Sequence, residues 1–368
     1  MIAEKPKRKM AKKKPKDPNV VVTTLRYRLK DSSKMSRLDR LALSVNFVWN
    51  YCNETSFNAI RNHSKWLSAI DLKNLTSGSA KELGISSVTV QAICEEYAIR
   101  RIQFKKRKLR WRASSGSKKS LGWIPFKANS IQAKGDRITY LGHEYKLWLS
   151  RPIEGRILTG SFSQDAQGRW YVNLACEVAK LEHRHQVEEV GIDLGLKTSA
   201  VLSDGTFIEN RSEFKKLEEK LGKAQRAKKK KQAKKIHARI RNKRRDFLHQ
   251  ETTKIVKKYH TVFVGDVSGK FVQSGNGKSS ADASIGVIRD LLKYKAMRHS
   301  GYCFEVNENS STVTCSSCLT KTGPSGLSDL GVREWTCGEC HAHHDRDINA
   351  AMNILRFGRE SLRAAKAA

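Results

Sequence analysis

Three hydrophobic patterns succeed one another along the chain. NVVVTTLRYRL (19–29) is β-branched and predicts a strand. Ser36 is read as the N-cap of a helix, RLDRLALSVNFVWNYCNETSFNAIRN, whose apolar residues recur at helical spacing. A second helical stretch follows Ser86 and Ser87 and runs through QAICEEYAIRRIQFKKRKLRWR. From Gly122 to Val178 the pattern shortens to strands parted by glycine turns: GWIPFK, SIQAKGDRITYL, YKLWLS, GRILTGSFSQ and GRWYVNLACEV. These predict a small antiparallel barrel, completed by strand 19–29 across the helical insertion. A third region opens near Glu188 with EEVGIDLGLKTSAVLSDGTFIEN, which fits three strands with tight turns and puts Asp193 inside the first. A charged stretch over 211–258 predicts an α-hairpin. TVFVGDVSG (261–269) is a fourth apolar strand, followed by a Gly/Ser-rich loop (268–284) and a helix, GVIRDLLKYKAMRHS. Tyr302, Cys303, Phe304 and Val306 form a fifth strand that stops at the turn Asn307-Glu308-Asn309.

Charge changes the picture most. The 368 residues hold 71 Lys+Arg against 36 Asp+Glu, a net +35. Such an excess repels itself unless a polyanion neutralises it, which points to nucleic acid ahead of an anionic membrane surface. No run of about 18 apolar residues occurs, so the expectation is a cytoplasmic protein without a membrane partner, associated with the nucleoid if the host is a prokaryote. Residues 1–18 are basic, Pro-containing and aperiodic, and predict a disordered tail that is simply solvated, a nucleic-acid arm or a nuclear-import signal. Between Arg100 and Arg112 there are eight Lys/Arg and no acid, with Phe104 and Trp111 interleaved. That end of the second helix either grips phosphates and stacks bases or is a solvated helix end with core aromatics. Residues 211–245 hold 17 Lys/Arg and three acids, so the hairpin is expected to lie along a nucleic-acid backbone.

Candidate chemistry is concentrated late in the chain. Cys315-x-x-Cys318, eighteen residues, then Cys337-x-x-Cys340 is the spacing of two knuckles around one structural zinc. Four thiolates suffice for that ion, so His341, His343 and His344 are expected to face solvent. Cys52, Cys94, Cys176 and Cys303 stand singly and fit buried reduced thiols. In HDRDINAAMNIL (344–355) one of Asp345 and Asp347 is expected to cap a helix, with Asp347 at its start. Asp193 sits in an apolar strand, where an unpaired carboxylate is costly unless it meets a cation. A strand bearing an acid, two more strands, a fourth ending near an acid and a late helix with Asp make up the RNase H-like plan. In that plan the acids converge on two divalent ions beside a scissile phosphate.

VGIDLGLKTSAVLSDG, RNKRRDFLHQETTKI, LLKYKA, NENSSTVTCSSC and GVREWTCGECHAHHDRDINAAMNIL together resemble TnpB, the transposon-encoded RNA-guided DNA nucleases related to compact type V CRISPR effectors. The resemblance is specific over about 186–358; before that it rests on the order strand, helical insertion, barrel. It implies an α+β multidomain fold. A wedge β-barrel (19–30 and 119–180) would carry a helical recognition lobe (31–118), and an RNase H-like RuvC nuclease domain (186–311 and 343–368) would carry a zinc-knuckle insertion (312–342). It also implies a guide RNA, double-stranded target DNA with a short adjacent motif, catalytic Mg2+ (two ions) and one structural Zn2+. The family's first and third acids fall on Asp193 and Asp347. Its second, a glutamate closing the fourth strand, falls on Gly265, followed by Asp266. Either the nuclease is inactive, as in RNA-guided repressors, or another residue supplies the carboxylate. Glu308 closes the neighbouring, parallel fifth strand and lies about 5 Å over, so it is expected to replace the missing glutamate. Glu305 should face the opposite side, and Asp266 could substitute in part. The expected function is an RNA-guided, Mg2+-dependent DNA endonuclease using Asp193, Glu308 and Asp347. The alternatives are a nuclease-inactive repressor and a strand-transferring DNA transposase, which a co-purifying RNA would separate. Oligomeric state is left open.

Overall fold

The computed structural model describes residues 17–182, 186–266, 284–326 and 328–367. The expected basic tail (1–18), but for its last two residues, and the 268–284 loop, but for Ser284, lie outside them.

Strand β1 (Val20–Leu29) buries Val21, Leu25, Tyr27 and Leu29, all on one side of its two-residue alternation. An insertion follows, with helices α1 (Met35–His63), α2 (Ala69–Leu75), α3 (Ser79–Glu82) and α4 (Ser87–Gln103). Strands β2 (Trp123–Lys127), β3 (Ile131–Lys134), β4 (Arg137–Tyr140), β5 (His143–Trp148), β6 (Arg156–Gln164) and β7 (Trp170–Ala179) then return the chain to β1. The seven-stranded order is β2-β6-β7-β1-β5-β4-β3. It curls until rings from its two ends meet: Phe162 on β6 lies 5.3 Å from Tyr140 on β4 and 5.7 Å from Tyr145 on β5. The result is a nearly closed, barrel-like sheet. β1 pairs with β7 from Val20↔Ala179 to Arg28↔Tyr171, on the far side of the insertion.

Two expectations in the insertion need correcting. Ser36 does not cap α1: the helix begins at Met35 after Lys34, which makes no side-chain cap bond, and the Ser36 hydroxyl donates to the Ser33 carbonyl (2.9 Å). The basic run is helical only over its first four residues. α4, capped by Ser86, stops at Gln103, and 104–112 continues as an irregular strap across α1. Asn53 takes both backbone groups of Leu109, donating to its carbonyl and accepting from its N–H (2.9 Å each). Asn50 does the same for Arg112, at 2.9 and 2.8 Å. These amides compete successfully with helical bonds in a segment whose clustered cations repel one another.

The second sheet contains β8 (Val187–Asp193), β9 (Thr198–Leu202) and β10 (Phe207–Glu209). Next come the α5 (Glu213–Arg226) and α6 (Lys230–Lys258) hairpin, β11 (Tyr259–Gly265), α7 (Ile285–Arg298) and β12 (Tyr302–Val306). A two-stranded ribbon, β13 (Glu334–Thr336) with β14 (His343–Asp345), precedes the long helix α8 (Arg346–Ala367). The order is β10-β9-β8-β11-β12, with β8, β11 and β12 parallel. Val262 and Val264 of β11 face α6 and α7, whereas Phe263 faces α8, so helices cover both sides. α8 comes unusually close: a Cβ on Gly191 would lie 2.1 Å from the Ala351 carbonyl oxygen. Among the described residues no helix is long and apolar enough to cross a membrane.

Candidate active site and metal centre

The alternation that turns Phe263 and Gly191 toward α8 does the same for Asp193, the last residue of β8, and Gly265, the last of β11. Their strands are parallel and in register, with Val264 opposite Ile192 and Gly265 opposite Val306, so their C-terminal ends form one edge. Asp347 occupies the first turn of α8 at that edge. Asp345 is the residue that caps: its Oδ1 accepts from the N–H groups of Asp347 and Ile348, both at 2.9 Å.

Glu308 lies two residues beyond β12 and its carboxylate folds back over Gly265. A Cβ built on Gly265 would stand 2.3 Å from Glu308 Oε2 and 3.2 Å from Ile354 Cδ1. Any side chain at 265 would evict the carboxylate, so the glycine and the glutamate share one space. Oε2 is buried without a hydrogen-bond partner. Asp266 accepts from the Glu308 N–H (3.3 Å) and fixes the turn. Glu305 points the other way, pairing with Lys293 (2.9 Å) and Arg289 (3.7 Å) on α7.

The acids feel one another. Burial first, then the charges of Glu308 and Asp347, raise Asp193 to about 7 against an opposing pull from Arg346. Burial and Asp266 raise Glu308 to about 7, with Arg289 opposing. An orphaned carboxylate oxygen among mutually repelling acids is what a hard divalent cation would relieve, so the chemistry of these residues suits such an ion, while Asp193, Glu308 and Asp347 are not drawn into a closed group. The sequence offered no sign of Arg333, whose Nη1 donates to both Asp347 oxygens (3.3 and 3.2 Å). Nor did it single out Asn349 and Asn353. Their amides donate to the carbonyls of Ser311 and Thr314 and tie the turn after Glu308 to α8. Their i,i+4 spacing in NAAMN was the available signal.

The donor sulfurs of Cys315, Cys318, Cys337 and Cys340 all lie within 4.8 Å of one another, the one such closed group among the described residues. The Cys340 backbone N–H and the Thr322 hydroxyl pull Cys337 down to about 5, toward the thiolate a metal takes. The donor set fits zinc. His341 and His343 are exposed, but His344 is not. It is buried, packs on Trp335 (4.8 Å between rings) and holds Nε2 3.0 Å from Cys315 Sγ. The β13–β14 ribbon folds it inward, so the solvent-facing expectation fails there. Cys52, Cys94 and Cys176 are buried and free, and Cys303 is half-buried and free.

Residues 173–270 match the family model described as "Probable transposase" (OrfB_IS605), and residues 286–354 match "Cas12f1-like, TNB domain". A Streptomyces pristinaespiralis protein named "Putative RNA-guided DNA endonuclease" is 36% identical over 227 residues, covering 57% of this chain and 55% of that one. InsQ of Escherichia coli K12, named in the same way, is 28% identical over 239 residues, covering 57% and 58%. TnpB-like protein L79 of Acanthamoeba polyphaga mimivirus is 29% identical over 133 residues, 34% of this chain and 24% of that one. The chain spans about half the length of the bacterial relatives it matches. In overall fold it is similar to the protein in a Cas12f1-sgRNA-target DNA complex, with a TM-score of 0.58 at 11% identity over 91% of this chain and 99% of that one.

Proposed function

We propose, from the premise that this chain is a relative of the TnpB proteins over residues 173–354, that it is an RNA-guided, Mg2+-dependent DNA endonuclease. Its RuvC-type site would use Asp193, Glu308 and Asp347, with Glu308 standing where the family's glutamate at 265 is missing. The observation that carries this reading is the Glu308 carboxylate lying in the space a side chain at Gly265 would need, its Oε2 unpartnered.

Asp193, Glu308 and Asp347 would hold two Mg2+ ions, which when bound activate water for attack on phosphorus and stabilise the leaving 3′ oxygen. The three acids would fix where that positive charge sits beside the reacting phosphate. Arg333 balances the Asp347 carboxylate. Asn349 and Asn353 keep the Glu308 turn against α8. The four cysteines would hold one structural zinc. Guide pairing would read the target sequence, with a short motif beside it. The α5–α6 hairpin and the 104–112 strap would neutralise phosphates without reading base sequence.

The deciding experiment is cleavage by the protein purified with its own RNA. Glu308→Gln keeps size and hydrogen bonding but removes the charge, and should lower cleavage by on the order of 100-fold or more, the scale of losing one charge-stabilising group. Guide and target binding should persist, and Glu305→Gln should cut normally. If Glu308→Gln cuts like the parent while Asp193→Ala does not, Glu308 is structural. A parent that binds RNA and target yet never cuts with Mg2+ is the nuclease-inactive repressor that Gly265 alone would suggest.

A further inference from the structure

Where the helical insertion meets the barrel-like sheet there is a cavity of about 740 Å³, well within the size range of ligand sites. Trp49 of α1 and Trp123 of β2 form its floor, edge to face at 6.0 Å, and the Arg112 guanidinium lies 5.5 Å over the Trp123 ring. Phe104, Trp111 and Leu121 stand on its rim, 56, 52 and 52% exposed. Lys106, Arg110, Lys118 and Lys119 also line it, and among the described residues none of the four has a carboxylate partner. The one acid in the wall, Glu96, is already paired with Arg100 at 2.6 Å.

This combination is not what a plain phosphate grip needs. Cations alone hold a backbone, whereas three large apolar side chains left in water cost free energy that a ligand must recover. The strap that presents Trp111 is also fixed in advance. Its backbone is pinned at Leu109 and Arg112 by Asn53 and Asn50, and the Trp49 indole N–H reaches the Arg110 carbonyl (3.4 Å). A ligand arriving there does not have to order the loop first. Flat rings with unpaired cations around them suit a base with phosphates on either side.

We infer that this cavity binds an unpaired nucleotide, the base against the aromatic walls and the flanking phosphates on Lys106, Arg110, Lys118 and Lys119. The inference rests on the nucleic-acid-binding half of the proposed function and is independent of cleavage. The bound strand is a guide RNA segment or an opened DNA strand; the chemistry is common to both.

The test uses the full chain freed of co-purifying nucleic acid. Its probes are a six-nucleotide single strand, the same strand without bases, and a duplex, read by fluorescence anisotropy. Trp111→Ala should weaken the intact strand roughly 5- to 100-fold, the scale of losing a base–aromatic stack. It should leave the base-free strand and the duplex nearly unchanged. Trp111→Phe should restore most of the affinity. Lys118→Ala with Lys119→Ala should weaken intact and base-free strands alike. Ribose and deoxyribose versions of the probe then assign the source. Equal weakening of all three probes by Trp111→Ala, or no weakening of the intact strand, overturns the inference and leaves only a polyanion surface. A parent that binds no nucleic acid at all overturns the proposed function as well.

Discussion

Asp193 and Glu308 hold their protons to about pH 7, where free carboxyls would have lost them near 3.8 and 4.5. Over that window the folded chain binds protons that the unfolded chain does not. Their contribution to stability is therefore fully present below about pH 4 and lost as pH rises through 7. In Mg2+-free protein, calorimetry should show a fall in Tm between about pH 5 and pH 8 that is shallower in Glu308→Gln. If the acids hold Mg2+ as proposed, the ion takes their ionised form in the folded state, so it should raise Tm more at about pH 8 than at pH 6. An equal Mg2+ effect at both would mean these acids do not bind the ion. The side to which Glu308 turns was legible, because Phe304 and Val306 set the parity of the strand before it. The inward turn of His344 was not, since Cys spacing does not say which histidine a short ribbon folds back. The Arg333–Asp347 pair was equally hidden, as it depends on where the knuckle sits against α8.

At the scale of elements, periodicity located α1, α4 and the strands of the barrel-like sheet, which bury one face, whereas β9 and β11, covered on both sides, were located as short apolar runs. It failed at 104–112, where tertiary bonds from Asn50 and Asn53 take the backbone away from a helix that the residue types alone would allow. The knuckle has almost no core of its own: Trp335 packs with Cys315, Cys337 and the partly buried Cys318. Such an element would depend on a bound metal for stability. The parent should carry close to one zinc per chain, and Cys337→Ser should lose most of it in metal analysis. Trp335, buried here, should shift its emission to longer wavelength in that variant or on chelation. Zinc-free protein with unchanged Trp335 emission would show that the sulfurs stand together without an ion.

For the whole molecule, the excess of +35 is distributed rather than uniform. The α5–α6 hairpin carries much of it, with Lys228–Lys231, Lys234 and Lys235 at and after its turn. Replacing Lys228, Lys229, Lys231 and Lys234 with Ala should weaken RNA binding and flatten the slope of log affinity against log salt, by up to about 0.7 to 0.9 for each phosphate that is no longer neutralised. An unchanged slope would remove the hairpin from the interface. The insertion between β1 and β2 bears on how the chain folds as well as on what it binds. β1 finds its partners at residues 147–148 of β5 and 171–179 of β7. Within this sheet β1 is therefore unpaired until residues 147–179 reach it, and the entropy of closing that long loop is met before any pairing repays it. Until that closure VVVTTL would be an unpaired apolar edge. The lysine-rich residues just before it, KKKPKDP, repel the like-charged neighbours that such an edge would otherwise recruit.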